Sequence, residues 1–579
     1  MFLPATREEM NQLGWSELDV ILVTGDTYID SPYHGAAVVG KVLAKAGWRV
    51  GIVSQPRTDT VEDISRLGEP RLFWGISAGC VDSMVANYTS SGKRRHQDDF
   101  TAGGENTRRP DRASIAYTGL VRRAFKGTRP IVLGGIEASL RRVAHYDWWD
   151  DKIRRSLLFD AKADLLVYGM GEWTSLEIAR RLDQGETLLD LRGTCHLAKE
   201  KPEDAEEIVS FDEVQTDRER YVEMFRQFYR HSDPVSGKRI AQRHGERWLV
   251  QNAPVHNLST QEMDQFSDLQ WELETHPSEA HLGPVKAWET VRFSVMTHRG
   301  CYGECNFCAI AVHQGRTIQS RSEESVVREV ARMREHPKFK GILSDAGGPT
   351  ANMYGYECGK KLAKGACEHK RCVCPQTCKT LPVTHEPHLK LLRKLRALPG
   401  IRKVFVASGI RTDLLMDDAR HGQAYLEEIA AHHVSGQLKV APEHFDERIL
   451  GLMGKPGLNS ILDFKERFEK ASAKAGKKQF LTYYVIAAHP GCSREDMAAM
   501  GNFARGKFGL TPEQVQIFTP TPGTWSTVMY ATGIDPFTGA KVFVERDTLR
   551  RRAQKDAVAL PYASRSTNPP MGAPRRPAR

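Results

Sequence analysis

Three cysteines stand on one short stretch, Arg299-Gly300-Cys301-Tyr302-Gly303-Glu304-Cys305-Asn306-Phe307-Cys308, spaced C-x3-C-x2-C. Thiolates at that spacing can grip three irons of a cubane, whereas a 4Fe–4S cluster ordinarily takes four protein thiolates. With three, the fourth iron keeps an open site for a small-molecule ligand. Gly300 and Gly303 let the loop wrap a bulky inorganic core without Cβ clashes. The competing reading is a zinc knuckle. Tetrahedral zinc takes four ligands, usually as two separated pairs, and no such pair stands near this triplet.

Eight of the eleven cysteines fall between Cys301 and Cys378. In a reducing compartment thiols serve metal or redox chemistry rather than disulfides. Cys358, Cys367, Cys372, Cys374 and Cys378 form a second group, spaced C-x8-C-x4-C-x-C-x3-C. Four thiolates there can bind structural zinc or an auxiliary iron–sulfur cluster, with His369 able to replace one ligand. A metal-free loop with reduced thiols is the alternative. Cys492, in His489-Pro490-Gly491-Cys492, reads as a spectator, and Cys80 and Cys195 read as ordinary apolar positions.

The elements that must position these thiols form two alternating series. Short Val-, Ile- and Leu-rich runs at 19–24, 49–54, 71–77, 130–133 and 164–168 predict strands buried on both faces. Residues 35–46 between the first two predict a helix that stops at Gly47, a βαβ pattern and so an open parallel sheet. Residues 185–285 are more charged and less regular, and 201–285 reads as a connection between domains. From residue 290 the alternation resumes, with strands expected at 291–296, 340–344, 403–407, 438–441, 480–486 and 515–519 and helices between them. Six such units suit a complete or partial (β/α) barrel, which places chemistry on the loops after its strands. The first of those strands runs into Cys301. The second group of cysteines falls in the long loop after the second strand, on the same face.

Residues 1–200 are therefore expected as one α/β domain and 286–540 as the barrel, with a cysteine-rich insertion at 351–385. The chain of 579 residues is 40% hydrophobic and 27% charged, ordinary for a globular protein. No apolar run spans a bilayer, the N-terminus lacks a signal-peptide stretch, and a cytoplasmic location is expected. A net charge of +10 permits a polyanionic partner such as nucleic acid without establishing one. Residues 541–579, with Arg550, Arg551, Arg552, Arg575, Arg576 and Arg579 among several prolines, read as a disordered basic tail.

C-x3-C-x2-C with an aromatic before the last cysteine resembles the signature of radical S-adenosylmethionine (SAM) enzymes. RGCYGECNFCAIAVHQGRTIQSRS, SDAGGPTANMYG and VAPEH resemble the YgiQ-type (UPF0313-like) radical SAM proteins over nearly the whole chain. The resemblance implies an α/β architecture: an N-terminal flavodoxin-like, cobalamin-binding-like parallel sheet followed by a partial (β/α)6 barrel. It implies an enzyme in which the open iron chelates SAM and electron transfer cleaves it to a 5′-deoxyadenosyl radical. The electron donor would be a flavodoxin or ferredoxin. Asp345, Gly347 and Gly348 match the loop that receives the SAM amino group. Ser408 and Arg411 end the third strand, where Arg411 would pair with the SAM carboxylate. Glu443 ends the fourth and would bond the ribose hydroxyls. Among the second group, Cys358, Cys367, Cys372 and Cys378 correspond to the cysteines such relatives use, leaving Cys374 as the extra one. The cobalamin histidine motif D-x-H-x-x-G is absent. Asp30-Ser31-Pro32-Tyr33-His34-Gly35 carries similar residues at another spacing, so cobalamin binding through a histidine is not expected. RNA or protein is favoured over a small molecule as substrate. Electron transfer without SAM cleavage and zinc-stabilised nucleic-acid binding are the competing functions.

Overall fold

The structure is a computed structural model and describes residues 1–559. Five parallel strands form one half of the first sheet: β1 (Val20–Thr24), β2 (Val50–Ser54), β3 (Phe73–Ser77), β4 (Ile131–Gly134) and β5 (Leu165–Val167). Their order, β2-β1-β3-β4-β5, is flavodoxin-like. Every residue of β1 and β2 is buried, because helices cover both faces. On one face lie α1 (Gly35–Lys45) and α2 (Glu172–Gln184), packed over Leu22, Phe73, Val132 and Val167.

The sheet does not end where the sequence predicts. β6 (Thr194–Ala198), β7 (Glu206–Ile208), β8 (Ile240–His244) and β9 (Arg247–Gln251) continue it as β5-β6-β9-β8-β7. Among these added pairs only β7 and β8 run parallel. Much of the expected connection at 201–285 is thus part of the first sheet, and that sheet is mixed. The charged residues that obscured these strands lie toward its far edge.

Six short parallel strands then follow in chain order. They are β10 (Ser294–Met296), β11 (Ile342–Leu343 and Asp345–Gly347), β12 (Lys403–Val404), β13 (Gln437–Glu443), β14 (Phe480–Ala487) and β15 (Gln514–Ile517). β10 pairs with the second half of β11, the first half of β11 with β12, and β13 with β14 and β15. The helices between them are α3 (Glu323–Met333), α4 (Glu386–Arg396), α5 (Gly422–Glu428), α6 (Asn459–Lys474) and α7 (Arg494–Phe508). Together they bury one core around Val295, Ala346, Val404, Val440 and Val485. This is the partial (β/α)6 barrel. Val291 itself ends a helix rather than starting β10.

Part of the expected tail is also ordered. α8 (Thr548–Ala557) packs on the barrel. Arg551 is 1% exposed, donates to the Phe518 carbonyl, and stacks over Trp148 and Tyr530. Gln554 bonds the backbone of Ala488 and Cys492 at 2.9 Å each, tying α8 to the end of β14. Arg550 and Arg552 face solvent. Arg575, Arg576 and Arg579 lie outside the described residues. Among the described residues no helix is long and apolar enough to cross a membrane.

Candidate functional site

The three-cysteine loop leaves β10 and is held by the barrel on several sides. Gly300 adopts φ +83°, and a Cβ there would meet the Thr317 carbonyl oxygen at 2.0 Å, so only glycine fits. Cys301 N bonds Gly315 O (3.1 Å) and Asn306 N bonds Met453 O (2.8 Å). Tyr302 is fully buried behind the loop. Glu304 accepts from the Tyr229 hydroxyl at 2.7 Å. From the cysteine-rich insertion, Arg371 donates to Glu304 O (3.1 Å) and Asn306 Oδ1 (2.7 Å), so the insertion braces the loop directly.

Cys301, Cys305 and Cys308 line one cavity of about 190 Å3 together with Arg411 and Glu443. Burial, then the neighbouring Cys305 sulfur, pushes the Cys301 thiol up, and the same causes push Cys308 up to about 12. Three thiols on one cavity wall, with a guanidinium beside Cys305, fit thiolate ligation of an iron–sulfur cluster. Arg411 is 8% exposed. Its Nε and Nη2 engage Asp413 at 2.6–3.2 Å, and its Nη1 faces Cys305 Sγ at 3.8 Å. The pairing role expected of Arg411 therefore narrows to Nη1. Glu443 sits at a bulge of β13 with φ +71°, a strained backbone for a non-glycine residue. Burial pushes its carboxyl up to about 7 against the opposing pull of Lys455.

The other expected SAM residues stand one step away. Ser408 Oγ donates to Asp345, whose Oδ1 also accepts from Ala407 N (2.8 Å) and Ser408 N (3.1 Å). The Ser408 side chain occupies the space beside Gly347, and the His298 ring that beside Gly348. Asp345, Gly347 and Ser408 thus knit the ends of β11 and β12 together. Gly347, Gly348 and Ser408 do not line the cavity; Pro349 and Thr350 do so instead. Thr350 Oγ1 lies 3.6 Å from Cys301 Sγ. Thr350, Asp413 and Lys455 were not anticipated from the sequence. Thr350 lies in the same glycine-rich loop, a signal that was available, whereas Lys455 arrives from a distant loop with none.

Of the second group, Cys358, Cys372 and Cys378 share one cluster with Met353 and Tyr302. Thr380 Oγ1 lies 3.8 Å from Cys358 Sγ and 3.2 Å from Cys378 Sγ, and Cys378 N bonds Cys372 O at 2.8 Å. Burial pushes Cys372 up to about 12, whereas the Thr380 hydrogen bonds lower Cys378. Cys367 is exposed and lines an outer groove with Cys374 instead. His369 is 88% exposed beside Glu368. Among the described residues no three His, Cys, Asp or Glu side chains gather as around a single metal ion. Cys492 is buried 3.8 Å from His444 Nε2, and Cys195 is fully buried. His34 sits at the start of α1. Its Nδ1 caps α1 by accepting from Ala37 N at 3.2 Å, and the residue is 3% exposed.

The family description "Radical SAM N-terminal" matches residues 2–294, which takes in the mixed sheet and the expected connection, and "Radical SAM superfamily" matches residues 295–504. A UPF0313 protein of Fusobacterium nucleatum is 52% identical over 558 residues, covering 96% of this chain and 98% of its own. One from Geobacter sulfurreducens is 49% identical over 96% of this chain and 91% of its own. Among solved structures, the radical SAM methyltransferase TsrM of Kitasatospora setae, with tryptophan and a SAM analog bound, aligns with a TM-score of 0.48 at 14% identity. That alignment covers 87% of this chain and 75% of that one. The chain belongs to the UPF0313 family of radical SAM proteins.

Proposed function

We propose that this chain reductively cleaves SAM at a cluster held by Cys301, Cys305 and Cys308, to start radical chemistry on RNA or protein in the cytoplasm. The observation that carries the reading is the joining of all three thiols, Arg411 and Glu443 in one cavity. An electron-transfer protein needs no ligand cavity beside its cluster. When bound, the cluster supplies SAM with an iron site and one electron from a flavodoxin or ferredoxin. The chain's own residues do the rest. Arg411 Nη1 places positive charge against Cys305, Phe307 and Ile310 keep the wall apolar, and Glu443 offers a carboxyl to ribose hydroxyls. Cys358, Cys372 and Cys378 behind Tyr302, with Cys367 drawn in from the outer groove, would hold a second metal centre, zinc or iron–sulfur.

A macromolecular substrate is favoured by the outer groove. It encloses about 1600 Å3 beside the cluster loop, lined by nine Lys or Arg against four Asp or Glu. Phe537 and Phe543 stand exposed on it at 49% and 53%. Positive charge with exposed aromatic rings suits single-stranded nucleic acid. The test is electron paramagnetic resonance of the anaerobically reconstituted, dithionite-reduced protein. SAM should alter the spectrum, and Cys301→Ala, Cys305→Ala and Cys308→Ala should each abolish it. A spectrum indifferent to SAM, or one surviving all three substitutions, would refute the reading.

A further inference from the structure

We propose that the cavity between the first sheet and the cluster loop binds a neutral, flat heteroaromatic ring with a carbonyl-bearing edge. The cavity encloses about 350 Å3, within the size range of small-molecule sites. It lies at the carboxyl ends of β1, β3, β4 and β5, where the strand order reverses between β1 and β3. Open α/β sheets take their ligands at such a point. Phe73, Val132, Val167, Met170 and Met296 make its walls apolar. At Gly135 and Gly169, with φ +80° and +78°, bare strand-end backbone borders it. Bare backbone suits the close approach of a flat ring better than that of a branched chain.

One end is polar. Arg299 lines the cavity and is 5% exposed. Its Nη2 donates to Glu172 at 2.5 Å, but its Nε and Nη1 have no partner. Buried donors left unmade are costly, so these two nitrogens call for acceptors. Glu172 cancels the guanidinium charge, and Asp26, also on the wall, shares Arg109 with Asp98. Burial lowers His313 to about 4, leaving it neutral, and its Nδ1 lies 3.0 Å from Ser139 Oγ. The wall therefore offers donors without net positive charge. That combination selects carbonyl oxygens on a neutral ligand over a carboxylate or phosphate. Ile310 lines both this cavity and the thiol cavity, so the ring would lie one side chain from the cluster site.

Lumiflavin, neutral and planar with an imide edge, is the probe. Equilibrium dialysis against the anaerobically reconstituted full-length protein, read by fluorescence of the protein-free chamber, should show one site per chain. Two variants test the placement. Val39→Trp puts an indole on the cavity wall and keeps the ion pair, while Arg299→Met/Glu172→Gln removes the donors and both charges together. Each should weaken binding by roughly tenfold or more, with circular-dichroism melts verifying that both fold. No binding to the wild type, or binding unchanged in either variant, overturns the proposal. The readout is binding, so its failure is separate from any failure of SAM cleavage.

Discussion

Replacing Arg411 by Met should lower the midpoint potential of the reconstituted cluster by on the order of 100–200 mV. Arg411 Nη1 lies 3.8 Å from Cys305 Sγ. At that separation and an effective dielectric of about 20, a unit charge attracts a thiolate by about 4 kcal/mol. Asp413 holds the Nε–Nη2 edge, farther from the sulfur, and opposes this by roughly half. The intact pair thus leaves about 2 kcal/mol in favour of added negative charge, whereas Asp413 alone would repel it. For one electron, about 59 mV corresponds to 1.4 kcal/mol, so the change of about 4 kcal/mol in Arg411→Met is roughly 170 mV. Arg411→Met/Asp413→Asn removes both charges and should fall by about half as much as the single variant. Anaerobic redox titration followed by electron paramagnetic resonance measures all three proteins. Equal potentials in wild type and Arg411→Met, or a double variant lower than the single, would show that the Arg411 charge does not act on the cluster.

Glu443 titrates at about 7 in the folded chain against an ordinary value of 4.5, because burial disfavours its charged form. Without ligand, stability should therefore fall as pH rises from 4.5 through about 7. Glu443→Gln should flatten that fall in urea midpoints. The same variant should remove a rise in SAM affinity across that range, because the charged carboxylate is the better acceptor for ribose hydroxyls. His34→Ala should cost about 1 kcal/mol through loss of the α1 cap, read by chemical denaturation. Hydroxocobalamin should give the same spectra with His34→Ala as with the wild type, whereas a tight, histidine-dependent change would contradict the capping role. The Cys301→Ala/Cys305→Ala/Cys308→Ala variant should retain a metal, with zinc or iron plus sulfide deciding the type. Neither metal after anaerobic reconstitution would leave Cys358, Cys367, Cys372 and Cys378 as free thiols.

The strands that carry the sites were legible because they are buried on both faces. VILVT and VGIVS read as continuous apolar runs, and each barrel strand is bracketed by a helix with clear periodicity. The cluster loop was legible from spacing alone. β7, with the sequence Glu-Glu-Ile, was not, because it stands at the sheet edge where charge is tolerated. α8 was hidden by its three consecutive arginines, of which only Arg551 turns inward. The expected role of Arg411 failed to anticipate Asp413, two residues on, folding back onto the guanidinium. Gly347 and Gly348 matched a ligand loop in sequence, but the side chains beside them, Ser408 and His298, come from distant strand ends that no local pattern reports.

On the proposed function, the three thiols of one loop serve SAM cleavage. Incubating the anaerobically reconstituted protein with SAM and dithionite, followed by chromatography, measures this directly. The wild type should give 5′-deoxyadenosine and methionine, and Cys301→Ala, Cys305→Ala and Cys308→Ala should give neither. No cleavage by a wild-type protein with its cluster intact, or cleavage that persists without the three cysteines, would contradict the proposed function.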